Sequence, residues 1–310
     1  MRNRRLAIIA GLGVVELWIV GLMLRSVAGG HDAGALITSA QIGSASPAPA
    51  RDGGARTIET GSAPDVVIDD EGATLTVTAL TGASVAVRNR SEHGWFDHHE
   101  APLRIEKTSG GVQILRAPGD AGIMFGSPRR ELDVVVPPQA RLEVRNAGAM
   151  VVSGLRADAV LHSDDGSVRV RDNRGDLRVS TDNGRIELSD VEASYVEAGS
   201  DDGRITFDRV RADRVAVSTD NGRIEVQRSR LRGGKIQTDN GRVTLGLDPH
   251  SDVLISAKTE SGKISAASPL IVTGSGEEDD APATIRVGSG SGALDVASSD
   301  GSISIRSGGM

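Results

Sequence analysis

The sequence predicts an all-β protein: a single-stack β-solenoid of roughly 19 residues per rung, behind one amino-terminal transmembrane helix. Three observations carry this prediction. A four-residue turn motif recurs at nearly constant spacing through the carboxy-terminal half, an alternating apolar pair follows each copy, and a long apolar run opens the chain. Composition narrows the chemistry further. The 310 residues contain no Cys, which excludes disulfides, thiolate metal sites, iron–sulfur clusters and a Cys nucleophile. Aromatic residues make up only 2%, so Val, Ile, Leu and Ala must fill a thin interior. A formal net charge of -7 argues against a nucleic-acid partner.

Taken in chain order, residues 1–5 form a short cytoplasmic tail and residues 6–25 the anchor. The run Leu6 to Leu24 is apolar except for its glycines and Glu16. As a helix it spans about 28 Å, close to the hydrocarbon thickness of a bilayer. Arg2, Arg4 and Arg5 precede it and Arg25 alone follows directly, a bias that keeps the amino terminus cytoplasmic and exports the rest. The rival reading is a cleaved secretory signal ending at Ser26-Val27-Ala28, although the apolar run exceeds the usual length of such a core. Glu16 is costly in hydrocarbon and is a candidate contact to a membrane partner.

Residues 29–64 are rich in Ala, Gly, Ser and Pro without sustained periodicity, the composition of a flexible linker. Residues 65–308 form the repeat domain. Ser163-Asp164-Asp165-Gly166, Thr181-Asp182-Asn183-Gly184, Ser200-Asp201-Asp202-Gly203, Thr219-Asp220-Asn221-Gly222, Thr238-Asp239-Asn240-Gly241 and Thr259-Glu260-Ser261-Gly262 have glycines 18, 19, 19, 19 and 21 residues apart. Weaker copies stand at Ser289-Gly290-Ser291-Gly292 and Ser299-Asp300-Gly301. Pairs such as Ile186 and Leu188, or Ile224 and Val226, follow the turns with the period of a half-buried strand. A second alternation precedes several turns, so each repeat holds two strands and is too small to bury a face unless copies stack. Asn-Gly and Asp-Gly suit positive φ at a sharp reversal. A hairpin series, sandwich or propeller is the structural rival. Residues 66–152 follow the same grammar loosely, giving about twelve rungs in all.

Paired TDNG-like turns followed by Arg or Lys, Ile, any residue, and Leu or Val, behind one hydrophobic segment and a linker, resemble the bacterial putative-adhesin family of β-strand-repeat proteins of unknown function. The resemblance covers about residues 65–308. It implies a β-solenoid in the cell envelope: a single-pass protein of the bacterial cell membrane with the repeat domain extracytoplasmic. The family offers no catalytic residues to carry over.

With the apolar pairs inward, Arg185, Arg204, Arg223, Arg242 and Lys263 point outward and stack as a cationic ladder beside the turn acids Asp182, Asp202, Asp220 and Asp239. Opposite charges on neighbouring positions relieve each other, which gives the ladder a purely structural reading. Its functional reading is a polar face whose guanidinium forks pair with carboxylates or phosphates of an envelope polysaccharide, or with a protein. Repetition suits binding better than catalysis. His93, Asp97, His98 and His99 are weak metal candidates, because their spacing matches no recognised zinc signature. Trp95 and Phe96 are placed as a cap on one end of the stack, and residues 274–280 as an acidic loop. No motif calls for a cofactor. The leading function is a membrane-tethered, non-enzymatic adhesin-like or scaffold protein. A polysaccharide-active enzyme and the ectodomain of a sensory complex are the alternatives, and uncovered strand edges predict end-to-end self-association.

Overall fold

The computed structural model describes residues 55–92, 102–116, 129–267, 270–273 and 282–308. The expected anchor with Glu16, most of the linker, the stretch containing His93, Trp95, Phe96, Asp97, His98 and His99, and the acidic loop lie outside them. Among the described residues all regular structure is β, in 24 strands, and no helix is long and apolar enough to cross a membrane.

The strands wind as a solenoid with two long sides. One side stacks, in parallel, Gly111–Arg116, Asp65–Asp69, Arg141–Ala147, Ala159–Ser163 and Leu177–Thr181. It continues through the second half of Ile186–Ser200, then Arg211–Thr219, Gly233–Thr238, Gly292–Ser298 and Val253–Thr259. The other side stacks Arg129–Val136, Thr74–Ala79, Met150–Ser153, Val168–Arg174 and the first half of Ile186–Ser200. Ile205–Asp208, Ile224–Leu231, Val243–Leu247, Ile303–Ser307 and Ile264–Ala266 complete it. A short third side joins them, where Glu192 pairs with Arg211 and Arg211 with Arg230.

Among the described residues the stack therefore holds ten coils rather than twelve, because strands near both ends run antiparallel and add no coil. At one end Leu103–Lys107 covers Gly111–Arg116, while Ser84–Glu92 and then Ala55–Glu59 cover Arg129–Val136. At the other, Ala283–Val287 and Ile271–Thr273 extend the first side beyond Val253–Thr259. Ala55–Glu59 falls inside the segment expected to be linker. Its alternation Arg56, Ile58 against Ala55, Thr57, Glu59 is a short edge-strand signal that the surrounding Gly and Ala obscure.

Stacking order departs from chain order at both ends. The first coil, 65–79, lies between the second and third, and the last coil, 292–307, lies between 233–247 and 253–266. Each terminal coil is thus paired on both edges, and the exposed edges pass to coils held at both chain ends. This is one way of protecting open strand edges.

The interior is a column of branched aliphatic residues. Val168, Ile186, Ile205, Ile224, Val243 and Ile303 stack fully buried, with Val170, Leu188, Phe207, Val226, Leu245 and Ile305 beside them. Each such burial contributes about 1.5–3 kcal/mol. A single coil carries only a handful of them, so stability resides in the stack.

The inserted last coil is latched by Asp252. Its carboxylate accepts from both hydroxyls of Ser289 and Ser291 and from the N–H groups of Gly290 (2.6 Å) and Ser291 (3.2 Å). Gly288 and Gly290 sit at φ 65° and 75°, which this tight loop requires. Ser289-Gly290-Ser291-Gly292 is therefore a latch loop, not the repeat turn that its composition suggests. Its hydrogen bonds, led by Ser289, hold the Asp252 carboxyl down to about 2, from an ordinary 3.8. A depressed carboxyl stabilises the fold above its unfolded pKa and loses that contribution as pH falls through the folded one. The thermal midpoint difference between the wild type and Asp252→Asn should thus be full above about pH 4 and vanish toward pH 2. A difference that stays constant across pH 5 to 2 in calorimetric scans would show that the latch does not rest on the ionised carboxylate.

Candidate binding surface

Two corners organise the polar surface. At the first, the motif turns stack so that the leading hydroxyl of each is buried and donates to the glycine carbonyl of the preceding coil. The bonds are Ser163 to Gly148 (3.0 Å), Thr181 to Gly166 (3.2 Å), Ser200 to Gly184 (3.3 Å), Thr219 to Gly203 (3.3 Å) and Thr238 to Gly222 (3.2 Å). Ser298 then bonds Gly241 and Thr259 bonds Gly301. That sequence of partners repeats the swapped order of the last two coils. The Ser or Thr of the motif is thus an interior hydrogen-bonding column, a role that the motif's regularity signals and that a search for outward chemistry passes over.

The motif glycines are not at positive φ, contrary to the turn chemistry expected of Asn-Gly. Close approach selects them. A Cβ on Gly203, Gly222 or Gly241 would lie 1.8, 1.8 or 1.7 Å from the carbonyl oxygen of the glycine one coil below. Positive φ recurs instead along the second corner, where Gly154, Asp172, Asp190, Arg209 and Arg228 occupy the left-handed region at 83°, 50°, 54°, 54° and 48°.

The sequence-predicted ladder forms only in part. Arg185, Arg204, Arg223 and Arg242 precede successive paired strands and are exposed. Lys263 does not follow Arg242, because the inserted coil places Ser302 between them. Val243 N–H donates to the Ser302 carbonyl and Ile303 N–H to that of Lys263. Arg242 Nε donates to Ser302 Oγ at 3.2 Å. Arg185 and Arg223 pair along their own strands with Glu187 (3.5 Å) and Glu225 (3.3 Å). Glu187 also accepts from Arg169 at 2.6 Å, and that bond chiefly holds its carboxyl below the usual range. Exposed pairs of this kind contribute about 0–1 kcal/mol each.

Among the turn acids, Asp182, Asp220 and Asp239 share one column with Asp201, whereas Asp202 belongs to the next, with the motif asparagines. Asn221 Nδ2 donates to Asp202 Oδ1 at 2.7 Å, Asn183 to Asp165 at 2.8 Å, and Asn240 to Asn221 at 2.8 Å. In the acid column, burial and then the charges of Asp239, Asp201 and Asp202 push the Asp220 carboxyl up. Among the described residues no three His, Asp or Glu side chains converge as a metal set.

The third side, which sequence reasoning did not single out, carries more unpaired cationic charge. Arg174, Glu192, Arg211 and Arg230 stand in register there, all exposed. Two open hollows, of about 940 and 610 Å³, flank this column and share Glu192, Arg211 and Arg230 in their walls. Its signal in the sequence is the repeat period itself: Glu192, Arg211 and Arg230 lie 19 residues apart in turn.

A coiled β-stack with glycine and hydroxyl columns at one corner and charged columns on its outer sides defines a repeat-built β-solenoid. The chain belongs to the Toastrack DUF4097 family, whose model matches residues 65–306. No curated protein is significantly similar to the chain. Solved structures similar to it include a putative adhesin from Parabacteroides distasonis at 13% identity, covering 83% of this chain and 98% of that one with a TM-score of 0.46. A putative lipid binding protein from the same organism is 11% identical, over 84% and 98% of the two chains, with a TM-score of 0.44. A putative adhesin from Parabacteroides merdae is 10% identical, over 83% and 97%, with a TM-score of 0.44.

Proposed function

We propose that the protein is a membrane-tethered, non-enzymatic component of the bacterial cell envelope whose solenoid presents repeated polar columns to an envelope partner, in the manner of an adhesin or scaffold. The observation that carries this reading is the repetition itself. The same hydroxyl, amide, acid and Arg positions recur on successive coils, which builds an extended surface with equivalent groups along it, whereas catalysis draws on one special constellation. The amino-terminal run Leu6 to Leu24 supplies the tether, with Glu16 as its candidate contact to a membrane partner. The test is a glycan and envelope-extract binding array on the full chain in lipid nanodiscs, with soluble sugar release followed in the same wells. Saturable binding without release is the expected result. Release of product from a bound polymer would overturn the reading in favour of a polysaccharide-active enzyme.

A further inference from the structure

The furrow on the third side is distinguished by which of its charges are already satisfied. In its larger hollow, Asp172 receives both nitrogens of Arg156 (3.1 and 3.2 Å), and Asp190 receives Arg209 at 2.6 and 2.7 Å. Asp208, beside them, takes Arg209 at 2.6 Å and Arg228 at 2.9 and 2.6 Å. Asp248 accepts from the N–H and ring Nδ1 of His250, with Arg211 in electrostatic reach. In the smaller hollow, Asp158 accepts the N–H of Asp176, and Asp176 those of Ser194 and Tyr195. Asp213 pairs with Arg232 at 3.3 Å.

The acids of the furrow are therefore engaged, with the exception of Glu192. Arg174, Arg211, Arg230 and Arg306 have no ion-pair partner among the described residues. The lining of the larger hollow, which holds all four, carries six guanidinium groups against four carboxylates, an excess of positive charge on a chain whose formal net charge is -7. The backbone accounts for the opening. Gly246 stands beside Arg306 in the strand register and has no side chain, and a Cβ there would lie 3.3 Å from Arg306 Nε, so the Arg306 side chain crosses the space that Gly246 leaves. Coils repeat at about 4.8 Å, so the column from Arg174 to Arg230 runs for about 14 Å in a straight line.

We propose that this furrow binds an extended acidic glycan, with the glycan's carboxylates paired to the forks of Arg174, Arg211, Arg230 and Arg306. The inference rests on the envelope-binding function proposed above and names its site and substrate class. Guanidinium forks match carboxylates two bonds at a time. A furrow open along its length fits a polymer better than a compact ligand, and spaced cations favour spaced anions. The ladder of Arg185, Arg204, Arg223 and Arg242 is the weaker candidate, since three of these four are already bonded within the fold.

The experiment titrates the full chain with oligogalacturonates of increasing length by calorimetry at low salt, with a neutral dextran and a polyphosphate as controls. Arg211→Ser/Arg230→Ser tests the furrow and Arg204→Ser/Arg223→Ser tests the ladder, thermal midpoints showing that both variants fold. The expected result is saturable oligogalacturonate binding that tightens with length and weakens with salt. The furrow variant should lose about tenfold or more in affinity while the ladder variant stays near wild type. Loss in the ladder variant alone would overturn the furrow and leave the envelope-binding function standing. Equal binding of polyphosphate would overturn the assignment to a glycan. Failure to bind oligogalacturonate, by a protein that does bind an envelope extract, would overturn the ligand class. Failure to bind any extract would overturn the proposed function with it.

Discussion

Replacing Arg116 with Met should lower the stability of the fold by about 3–5 kcal/mol. Arg116 closes Gly111–Arg116, and its side chain is 4% exposed. Its Nε donates to Asp70 Oδ1 at 2.8 Å, and an Nη donates to Asn89 Oδ1 at 3.0 Å. Asp70, with a side chain 1% exposed, directly follows Asp65–Asp69, the strand tucked between the second and third coils. Asn89 lies in Ser84–Glu92, which runs antiparallel over the end of the stack. One buried guanidinium thus joins the inserted coil, its neighbour and the covering strand. Without it the Asp70 carboxylate is left in an interior that penalises its charge. Urea unfolding measures the loss, and a companion Asp70→Leu/Arg116→Met variant, which removes both charges, should recover most of it. A single variant within about 1 kcal/mol of wild type would show that the cluster does not hold the end of the stack together.

Gly222→Ala should cost about 3 kcal/mol or more, because the added Cβ would sit far inside contact distance and the coils must part to admit it. That methyl carbon would lie 1.8 Å from the Gly203 carbonyl oxygen and 2.6 Å from Thr219 Oγ1, the hydroxyl that makes the buried bond to Gly203. Gly61→Ala is the informative control. Gly61 has φ 93° and open space around it, so its penalty is conformational alone, about 1–2 kcal/mol. If the two substitutions cost the same in thermal unfolding, the motif glycines are serving backbone conformation and the close-approach account fails.

Much of the stack was legible in the sequence because its period is nearly constant: the 19-residue spacing of the motif glycines is the register that pairs Ile186 with Ile205 and Ile205 with Ile224. The order of the end coils was not legible. Lys263 follows Arg242 by 21 residues in the next copy of the motif, yet Ser302 lies between them, since strand pairing between distant segments depends on long-range closure that local pattern does not encode. Ala55–Glu59 was hidden by the linker-like composition around it. The turn residues show how one motif serves several physical ends. Positive φ, expected at Asn-Gly, is found instead at Asp172 and Asp190, whose residue type tolerates it, and at Arg209 and Arg228, which no propensity argument would choose. The ladder was visible because Arg recurs before each Ile, whereas the furrow combines Arg174, Arg211, Arg230 and Arg306 from strands whose proximity only the third side and the inserted coil create.

The swapped order of the last two coils underlies both the broken ladder and the presence of Arg306 in the furrow, and paired cysteines test it directly because the chain has none of its own. Thr244 is in register with Ser304, and Ser304 with Ser265. Neighbouring coils put Cα atoms about 4.8 Å apart, within disulfide range, and coils twice removed lie beyond about 7 Å. Under mild oxidation Thr244→Cys/Ser304→Cys should form an intramolecular bridge, read by mass spectrometry, and Thr244→Cys/Ser265→Cys should not. Bridging of the second pair and not the first would place the coils in chain order and contradict the account.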